Sequence, residues 1–343
     1  MDATRALRRL DELYAIGAGP GANRAMGSPE EDEAHDLAGG WLEEAGLEIE
    51  VDPAGNLFGR PPGAVPSDTA PEVWSGSHLD TVPQGGKFDG ALGVVAAIEA
   101  VERVGRGTVA VFRCEEVGCI GSLARVERGD LPDAFLEVHV EQGPRLAAAG
   151  APLGIVTGIV GYARGEVVVE GVAGHAGTTP MDTREDALVE AARRILRLEE
   201  EARRIPGAVA TVGRIEAEPG GVNVIPGRVR FSVDVRAPDQ ERLDALIALA
   251  GIDDSHAAPP VDMSPLVVKA FRTEMEGRGL PVVELASGAG HDAGVLAQAA
   301  VPSGMLFVRS LNGGVSHSPD ELSSEEDVAL AIDILAGALG RLA

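Results

Sequence analysis

The stretch Gly76–Gly93, GSHLDTVPQGGKFDGALG, holds the pattern around which the rest of the chain can be arranged. It starts at the apolar end of a predicted strand, passes through His78 and Asp80, and crosses a glycine-rich turn to Asp89, where a helix is predicted to begin. Residues two apart in a strand point to the same face, so one of His78 and Asp80 can bind a metal while the other orients it. Histidine with aspartate or glutamate suits zinc, manganese or cobalt. Alone, the stretch also fits an ordinary loop with a solvated histidine.

Composition limits the class of protein. The chain has 343 residues, of which 45% are hydrophobic and 24% charged, which is typical of a globular protein long enough for two domains. Its formal charge of −25 repels phosphate backbones, so we expect no nucleic-acid partner. No apolar run reaches the roughly 20 residues of a membrane helix, and the start, MDATRALRRLDELY, lacks the apolar core of a signal peptide. We therefore expect a cytoplasmic protein that does not enter the membrane.

The order of predicted elements indicates two domains. Strands and helices alternate in residues 1–156 and again in 264–343, which predicts one discontinuous α/β domain that binds the metal. Residues 157–263 follow a strand-helix-strand-strand-helix order, most of a ferredoxin-like α+β unit, inserted as a lid and dimerisation domain. Its last strand is poorly represented in residues 253–262, so we expect a short lid edge. A helix beginning at Pro29 is predicted to carry His35 on its surface.

Further acids and histidines follow other predicted strands. Glu115 and Glu116 come at the carboxyl end of a strand, where open α/β sheets bind their ligands. Adjacent carboxylates resist joint ionisation unless a cation compensates them. Taken singly, each of these residues also fits an acidic loop or a solvated strand. The full set has the content of a two-metal hydrolase site: His78, Asp89, Glu115, Glu116, His139 and His317.

Ten motifs follow one another along nearly the whole chain. They are DPAGNLFGR (52–60), GSHLDTVPQGGKFDGALG (76–93), FRCEE (112–116), EVHVEQGP (137–144), GIVTGIVG (154–161), GHAGTTPMDTREDAL (174–188), NVIPG (223–227), DVRAPD (234–239), SGAGHDA (287–293) and SHSPDE (316–321). In these motifs the chain resembles the metal-dependent amidohydrolases of the N-carbamoyl-L-amino acid hydrolase and allantoate amidohydrolase type. That type lies within the larger group of dinuclear-zinc aminoacylases and exopeptidases.

The resemblance implies a mixed-sheet catalytic domain with two divalent metal ions in each subunit. Zinc is the first expectation, with manganese, cobalt or nickel as alternatives, since ligands of this kind accept all four. By the resemblance, Asp89 would bridge the two ions. His78 and His139 would complete one site, and Glu116 and His317 the other.

The resemblance also implies the catalytic roles. Glu115 would be the general base, and Asp80 would orient His78. His175, supplied from the lid of the partner subunit, would stabilise the oxyanion, which implies a homodimer. His291 would support the site without a defined role. The residues that bind a small carboxylate substrate would be Gln142, His175, Asn223 and Arg236.

The implied activity is hydrolysis of a non-peptide carbon–nitrogen bond in an N-carbamoyl-L-amino acid or a ureido acid such as allantoate. An N-acyl-L-amino acid deacylase or a dipeptidase on the same fold is the alternative. A non-catalytic binding protein is a third reading, because the stretch between Glu116 and His139 is shorter than the family pattern. The complete ligand set and Glu115 argue against this reading. The end of the lid is also clipped, which bears on the geometry of the dimer.

Overall fold

The structure is a computed structural model that describes residues 3–63 and 71–343. The chain divides into two compact units, Met1–Thr157 with Asp262–Ala343, and Gly158–Val261. The predicted limits of the lid domain, residues 157 and 263, lie close to the ends of the second unit, and its role as a lid stays a prediction. Within the described part of the chain, no helix is both long enough and apolar enough to cross a bilayer.

The elements of the first unit fall on both sides of the second unit in the chain. Those before it are α1 (Thr4–Tyr14), α2 (Pro29–Glu44), β1 (Glu48–Val51), β2 (Leu57–Arg60), β3 (Val73–His78), α3 (Ala91–Val104), β4 (Thr108–Phe112), α4 (Ile120–Arg128), β5 (Ala134–Val140), α5 (Arg145–Ala149) and β6 (Leu153–Ile159). The second unit contains β7 (Gly161–Glu170), β8 (Gly174–His175), α6 (Ala187–Arg204), β9 (Val209–Thr211), β10 (Ile215–Glu218), β11 (Val224–Ile225), β12 (Arg228–Ala237), α7 (Gln240–Ala250) and β13 (Ala257–Ala258). The chain then continues through β14 (Val261–Asp262), α8 (Pro265–Gly277), β15 (Glu284–Ser287), α9 (Asp292–Gln298), β16 (Ser303–Val308) and α10 (Glu325–Leu342).

A mixed sheet forms the centre of the first unit. Its strands lie in the order β1-β2-β4-β3-β5-β16-β6-β14, and β15 also pairs with β6. Strands β4, β3, β5 and β16 run parallel, whereas β2 and β6 join them antiparallel. The predicted mixed α/β fold is therefore confirmed. Because the parallel strands end at one edge, the residues that close or follow them are brought together there.

Helix α3 packs against the parallel strands. Its sequence is apolar along its first three turns, and residues 91–101 are all buried. Glu99 is the one charged residue in this buried stretch, and its Oε1 lies 3.0 Å from Nη1 of the buried Arg9. Helix α3 also contacts α1 and α10, which completes the apolar layer on its side of the sheet. This layer holds the start of α3, and with it Asp89, against the strand ends.

In the second unit the strands of the larger sheet and the two helices follow the order β7, α6, β9, β10, β12, α7 and β13, while β8 and β11 form a separate two-stranded sheet. The larger sheet runs β10-β12-β7-β13, with β9 also paired to β12. Along β12 half-buried and buried residues alternate strictly, so α6 and α7 cover one face of the sheet. The strand predicted to follow the first helix of this unit is divided into β9 and β10. The last strand, β13, pairs with just two residues of β7, which agrees with the expected short edge.

The prediction that His35 lies on the surface is wrong. His35 shares a helical stripe with Glu31, Ala38 and Leu42, at spacings of three and four residues, and all of them are buried. Among residues 3–63 and 71–343, neither ring nitrogen of His35 finds a hydrogen-bond partner. Burial, aided by the nearby Arg113 guanidinium, lowers the pKa of His35 to about 3.

This burial predicts a dependence of stability on pH. The unfolded chain takes up a proton at His35 near its ordinary pKa of 6.5, whereas the folded chain does not until about pH 3. Folding stability is therefore lost as the pH falls below 6.5, by about 2 kcal/mol at pH 5. Urea unfolding of the chelated protein at pH 7 and pH 5 should show a smaller loss in His35→Leu than in the wild type. An equal loss in both proteins would contradict the assignment.

Candidate metal centre

Glycines in the loop after β3 let charged side chains come close together. Gly90 has φ +63°, and a Cβ at this position would lie 2.5 Å from the His78 ring. A Cβ on Gly93 would lie 2.6 Å from Ser77 Cβ, so the glycine lets α3 approach the strands. His78 and Asp89 can therefore meet because Gly90 and Gly93 add no side chain where the start of α3 lies against the end of β3.

The first cluster consists of His78, Asp89 and His139, all buried, with their ligand atoms within 4.8 Å of one another. The Nδ1 atoms of His78 and His139 lie 3.1 and 3.0 Å from the carbonyl oxygens of Asp80 and Val140. Each Nδ1 is therefore placed to donate its proton, which leaves the Nε2 lone pair available. Both Nε2 atoms are buried and lack a hydrogen-bond partner among the described residues.

The second cluster consists of Asp89, Glu116 and His317, whose ligand atoms also lie within 4.8 Å of one another. His317 Nε2 lies 3.2 Å from Asp89 Oδ2 and 3.5 Å from Glu116 Oε2. The other oxygen of Asp89, Oδ1, lies 3.2 Å from His139 Nε2 in the first cluster. Asp89 thus turns one oxygen towards each cluster. The amide of Gln142 donates to Asp89 Oδ2 at 3.1 Å and stands 3.3 Å from His317 Nε2.

The residues of both clusters fit divalent cations. Two orphaned imidazole nitrogens and a shared carboxylate form a nitrogen and oxygen donor set of the kind that zinc and its neighbours accept. Burial alone would lower the pKa of His139, but the Asp89 carboxylate raises it to about 9. Against the opposing effect of burial, His139 and His317 hold the pKa of Asp89 well below its usual range. The Asp89 carboxylate is therefore kept ionised, and its environment favours a positive charge beside it.

Glu115 lies beside the clusters without belonging to either of them. Its Oε2 is 3.7 Å from His78 Nε2. Burial raises the pKa of Glu115 well above its ordinary value, and the neighbouring carboxylates of Asp292 and Glu116 act in the same direction. A buried carboxylate with a raised pKa is suited to accept and return a proton near neutral pH.

Asp80 fixes the backbone that carries the two glutamates. Its Oδ1 accepts from Glu115 N at 3.0 Å and its Oδ2 from Glu116 N at 3.1 Å. Oδ1 also lies 3.2 Å from His78 Nδ1. One buried carboxylate therefore links His78 to both glutamates, a wider role than the predicted orientation of His78 alone.

A polar layer that sequence reasoning left without a role lies behind the first cluster. The ring of His291 lies 4.5 Å from that of His139 and is tilted by 60° to it, and Glu137 and His291 form a third group with His139. Glu137 already accepts from Ser77 Oγ and Ala293 N, so its oxygens are engaged. The sequence does carry a signal for Glu137, because it lies two residues before His139 in β5 and therefore shares a face of the strand with it. Nothing in the pattern predicted α9, which supplies His291 as its N-cap and Asp292 as its first residue.

The remaining sequence-predicted residues lie in the second unit. His175 pairs with Val224 across β8 and β11, and Ala176 N donates to the Asn223 carbonyl at 3.0 Å, so His175 and Asn223 are neighbours. Both are exposed. Arg236 donates from Nε to Asp234 Oδ1 at 2.9 Å and is half-buried.

Comparison with known proteins gives one consistent result. Residues 74–341 match peptidase family M20/M25/M40. The chain is 36% identical to an N-carbamoyl-L-amino acid amidohydrolase of Geobacillus stearothermophilus, over 99% of this chain and 98% of that protein. It is 34% identical to an allantoate amidohydrolase of Bacillus subtilis, over 96% and 95% of the two chains. A solved hydantoinase/carbamoylase family amidase from Burkholderia ambifaria superposes with a TM-score of 0.89 at 30% identity, covering 100% of this chain and 98% of that chain.

The chain is shorter than the first of these relatives. Their alignment runs over 405 positions and this chain has 343 residues, so at least 62 aligned positions have no counterpart here. In the structure, the stretch between Glu116 and His139 holds α4 and the first residues of β5. The predicted shortening at this place stays a prediction.

The contact between Gly90 and His78 generates a test. Gly90→Ala should push the His78 ring out of the first cluster and weaken metal binding there by about 10- to 100-fold, as outer-shell changes at metal sites do. Gly105→Ala is the matched control, because Gly105 closes the same helix with φ +68° and a Cβ there would meet nothing within 4 Å. Calorimetric titration of the chelated proteins with Zn²⁺ measures the difference. Equal affinity in Gly90→Ala and Gly105→Ala would contradict the assignment of His78 as a ligand.

Proposed function

This chain belongs to peptidase family M20/M25/M40, within the group of the N-carbamoyl-L-amino acid and allantoate amidohydrolases, and from that premise we propose that it is a metal-dependent amidohydrolase. Its substrate is an N-carbamoyl-L-amino acid or a ureido acid such as allantoate, and the bond broken is a non-peptide carbon–nitrogen bond. The observation that carries the proposal is the position of Asp89, whose two oxygens face two separate clusters of candidate ligands.

The proposed cofactor is a pair of divalent ions in each subunit, with zinc as the first candidate. His78, Asp89 and His139 would hold one ion, and Asp89, Glu116 and His317 the other. Bound in this way, such ions lower the pKa of water from about 15.7 towards neutrality and polarise a carbonyl group. Manganese, cobalt and nickel suit the same nitrogen and oxygen donors.

Glu115 is the proposed general base. It takes a proton from the attacking water and later delivers it to the leaving nitrogen, and its raised pKa suits both transfers. Asp80 holds Glu115 in place through the hydrogen bond from Glu115 N. Since Glu115 Oε2 lies 3.7 Å from His78 Nε2, the base stands at the edge of the first cluster.

His175 is proposed to stabilise the oxyanion that develops on the substrate carbonyl, supplied by the partner subunit as the resemblance implies. Gly177 N donates to His175 Nδ1 at 3.0 Å, so the ring proton is on Nε2, on an exposed side chain. A neutral imidazole of this tautomer offers one N–H donor. Preorganised donors of this kind contribute about 3–4 kcal/mol to transition-state stabilisation.

Gln142, Asn223 and Arg236 are proposed to bind the substrate together with His175. The guanidinium of Arg236 suits a carboxylate because its fork can pair with both oxygens. In this structure it pairs with Asp234, which would share it with the substrate. Gln142 lies at the candidate metal centre, since its amide contacts Asp89 and His317.

We expect Glu115→Gln to lower kcat by about 100- to 10,000-fold without loss of bound metal, because the amide cannot accept the proton from water. The assay offers the metal-loaded protein N-carbamoyl-L-amino acids, allantoate and N-acetyl-L-amino acids in parallel and measures release of ammonia and of amino acid. Turnover confined to the N-acetyl compounds would favour the N-acyl deacylase. If the protein has metal bound and yet turns over none of these substrates, the proposed function is contradicted.

A homodimer is proposed through the second unit. Half of the exposed large hydrophobic residues among the described ones lie in this unit, which has less than a third of the chain. They include Leu196 on α6, Val209 on β9 and Ile215 on β10, and β9 and β10 form the edge of the sheet next to β12. An apolar helix face beside an open strand edge is a surface suited to self-association.

Leu196→Glu should weaken the dimer, because it places a charge on that surface. Leu266→Glu is the matched control on α8, where Leu266 is 54% exposed against 66% for Leu196. Sedimentation equilibrium of both variants and the wild type measures the change. A monomeric wild type, or equal dissociation in both variants, would contradict this interface.

A further inference from the structure

A buried glutamate close to the second cluster has no part in the proposed chemistry. Glu321 follows His317 in a polar loop before α10, yet it is 5% exposed. Its Oε1 accepts from Phe88 N at 2.7 Å and from Asp89 N at 3.0 Å. Its Oε2 accepts from Ser316 Oγ at 2.6 Å.

These contacts join two loops that are more than 200 residues apart in sequence. One loop carries Asp89 and the other carries His317, and both supply the second cluster. Phe88 and Asp89 would otherwise present unpaired N–H groups in a buried turn. The carboxylate therefore holds the backbone of Asp89 and the residue next to His317 at a fixed separation.

The first cluster depends less on these contacts. It shares Asp89, but its other candidate ligands, His78 and His139, lie at the ends of β3 and β5 and are held through their own Nδ1 contacts. Removal of the Glu321 carboxylate would free the loop of His317 without releasing either strand. Its effect should therefore fall mainly on the second cluster.

Gly86 leaves the space in which the Glu321 carboxylate lies. A Cβ on Gly86 would be 2.5 Å from Glu321 Oε2 and closer still to the other carboxylate atoms. The φ angle of Gly86 is not in the left-handed region, so an alanine at this position is not strained by a positive φ. Gly86→Ala therefore displaces the carboxylate without changing its chemistry.

We propose that Glu321 is a positioning residue for the second metal ion, because its carboxylate joins the backbone of Asp89 to the loop of His317 and so fixes the distance between two of the three ligands. This inference rests on the proposed function, which requires two ions. Glu321 itself touches no reacting atom. Its effect is on the affinity and occupancy of the second site.

The test is a titration of the chelated, full-length protein with Zn²⁺, followed by calorimetry and by metal analysis after dialysis. Glu321→Ala and Gly86→Ala should each weaken the second binding step by about 10- to 100-fold and leave the first within about threefold. Glu321→Gln should restore most of the affinity, since its amide oxygen can still accept from Phe88 N and Asp89 N. Gly86→Ala added to Glu321→Ala should cause no further loss.

Gly337→Ala is the matched control. A Cβ on Gly337 would crowd the carboxylate of Glu274 in the same way. Glu274 lies on α8 and pairs with Arg278, which directly follows that helix, and with Arg341 on α10, and none of the three is a candidate ligand. Gly337→Ala should leave both binding steps unchanged.

If Glu321→Ala and Gly86→Ala both bind Zn²⁺ in two steps with the affinities of the wild type, the inference is overturned while the proposed function stays intact. Equal weakening in Glu321→Gln and Glu321→Ala would also overturn it, because the effect would then come from the charge and not from position. A wild type that binds fewer than two ions would overturn the proposed function itself.

Discussion

The constraint on which this structure depends is the burial of several carboxylates at one edge of a sheet. Asp80, Asp89, Glu115 and Glu137 are all 9% exposed or less, and they gather where β3, β4 and β5 end. Charges of one sign at such separations repel strongly in a medium of low dielectric constant. Histidines and backbone N–H groups offset part of this repulsion. The repulsion that they leave uncompensated is the physical reason why this edge suits divalent cations.

Backbone N–H groups stabilise the buried carboxylates by donating hydrogen bonds to them at separate places in the fold. Asp80 accepts from the two glutamates after β4, and Glu321 accepts from the turn that leads into α3. Glycines make room for these contacts, since Gly86 and Gly90 lie directly against Glu321 and His78. The same loops hold residues in strained conformations, with φ near +55° at Cys114, Gln142 and His317. At Gln142 and His317 the surrounding contacts keep the side chains pointed at the site.

Much of the fold could be predicted from the sequence, because the apolar runs and caps are local signals. The helix predicted to begin at Pro29 does begin there, and Ser28 caps it by accepting from Glu31 N. The candidate metal ligands could be chosen because His and acid residues recur at strand ends, although the proposed assignment of each to an ion needed the family resemblance. His35 and Glu321 were missed for a common reason. Their burial depends on elements that pack from distant parts of the chain, and no local pattern records that.

All of the proposed ligands and the proposed base come from the first unit, and the second unit enters the chain as one insertion between Thr157 and Asp262. His175, Asn223 and Arg236 lie in that insertion. Natural selection can therefore change these three proposed substrate-binding residues while the candidate metal centre keeps its sequence. Such a division favours the evolution of new specificities by drift in one segment, and it gives engineers a natural boundary for exchanging segments between related enzymes.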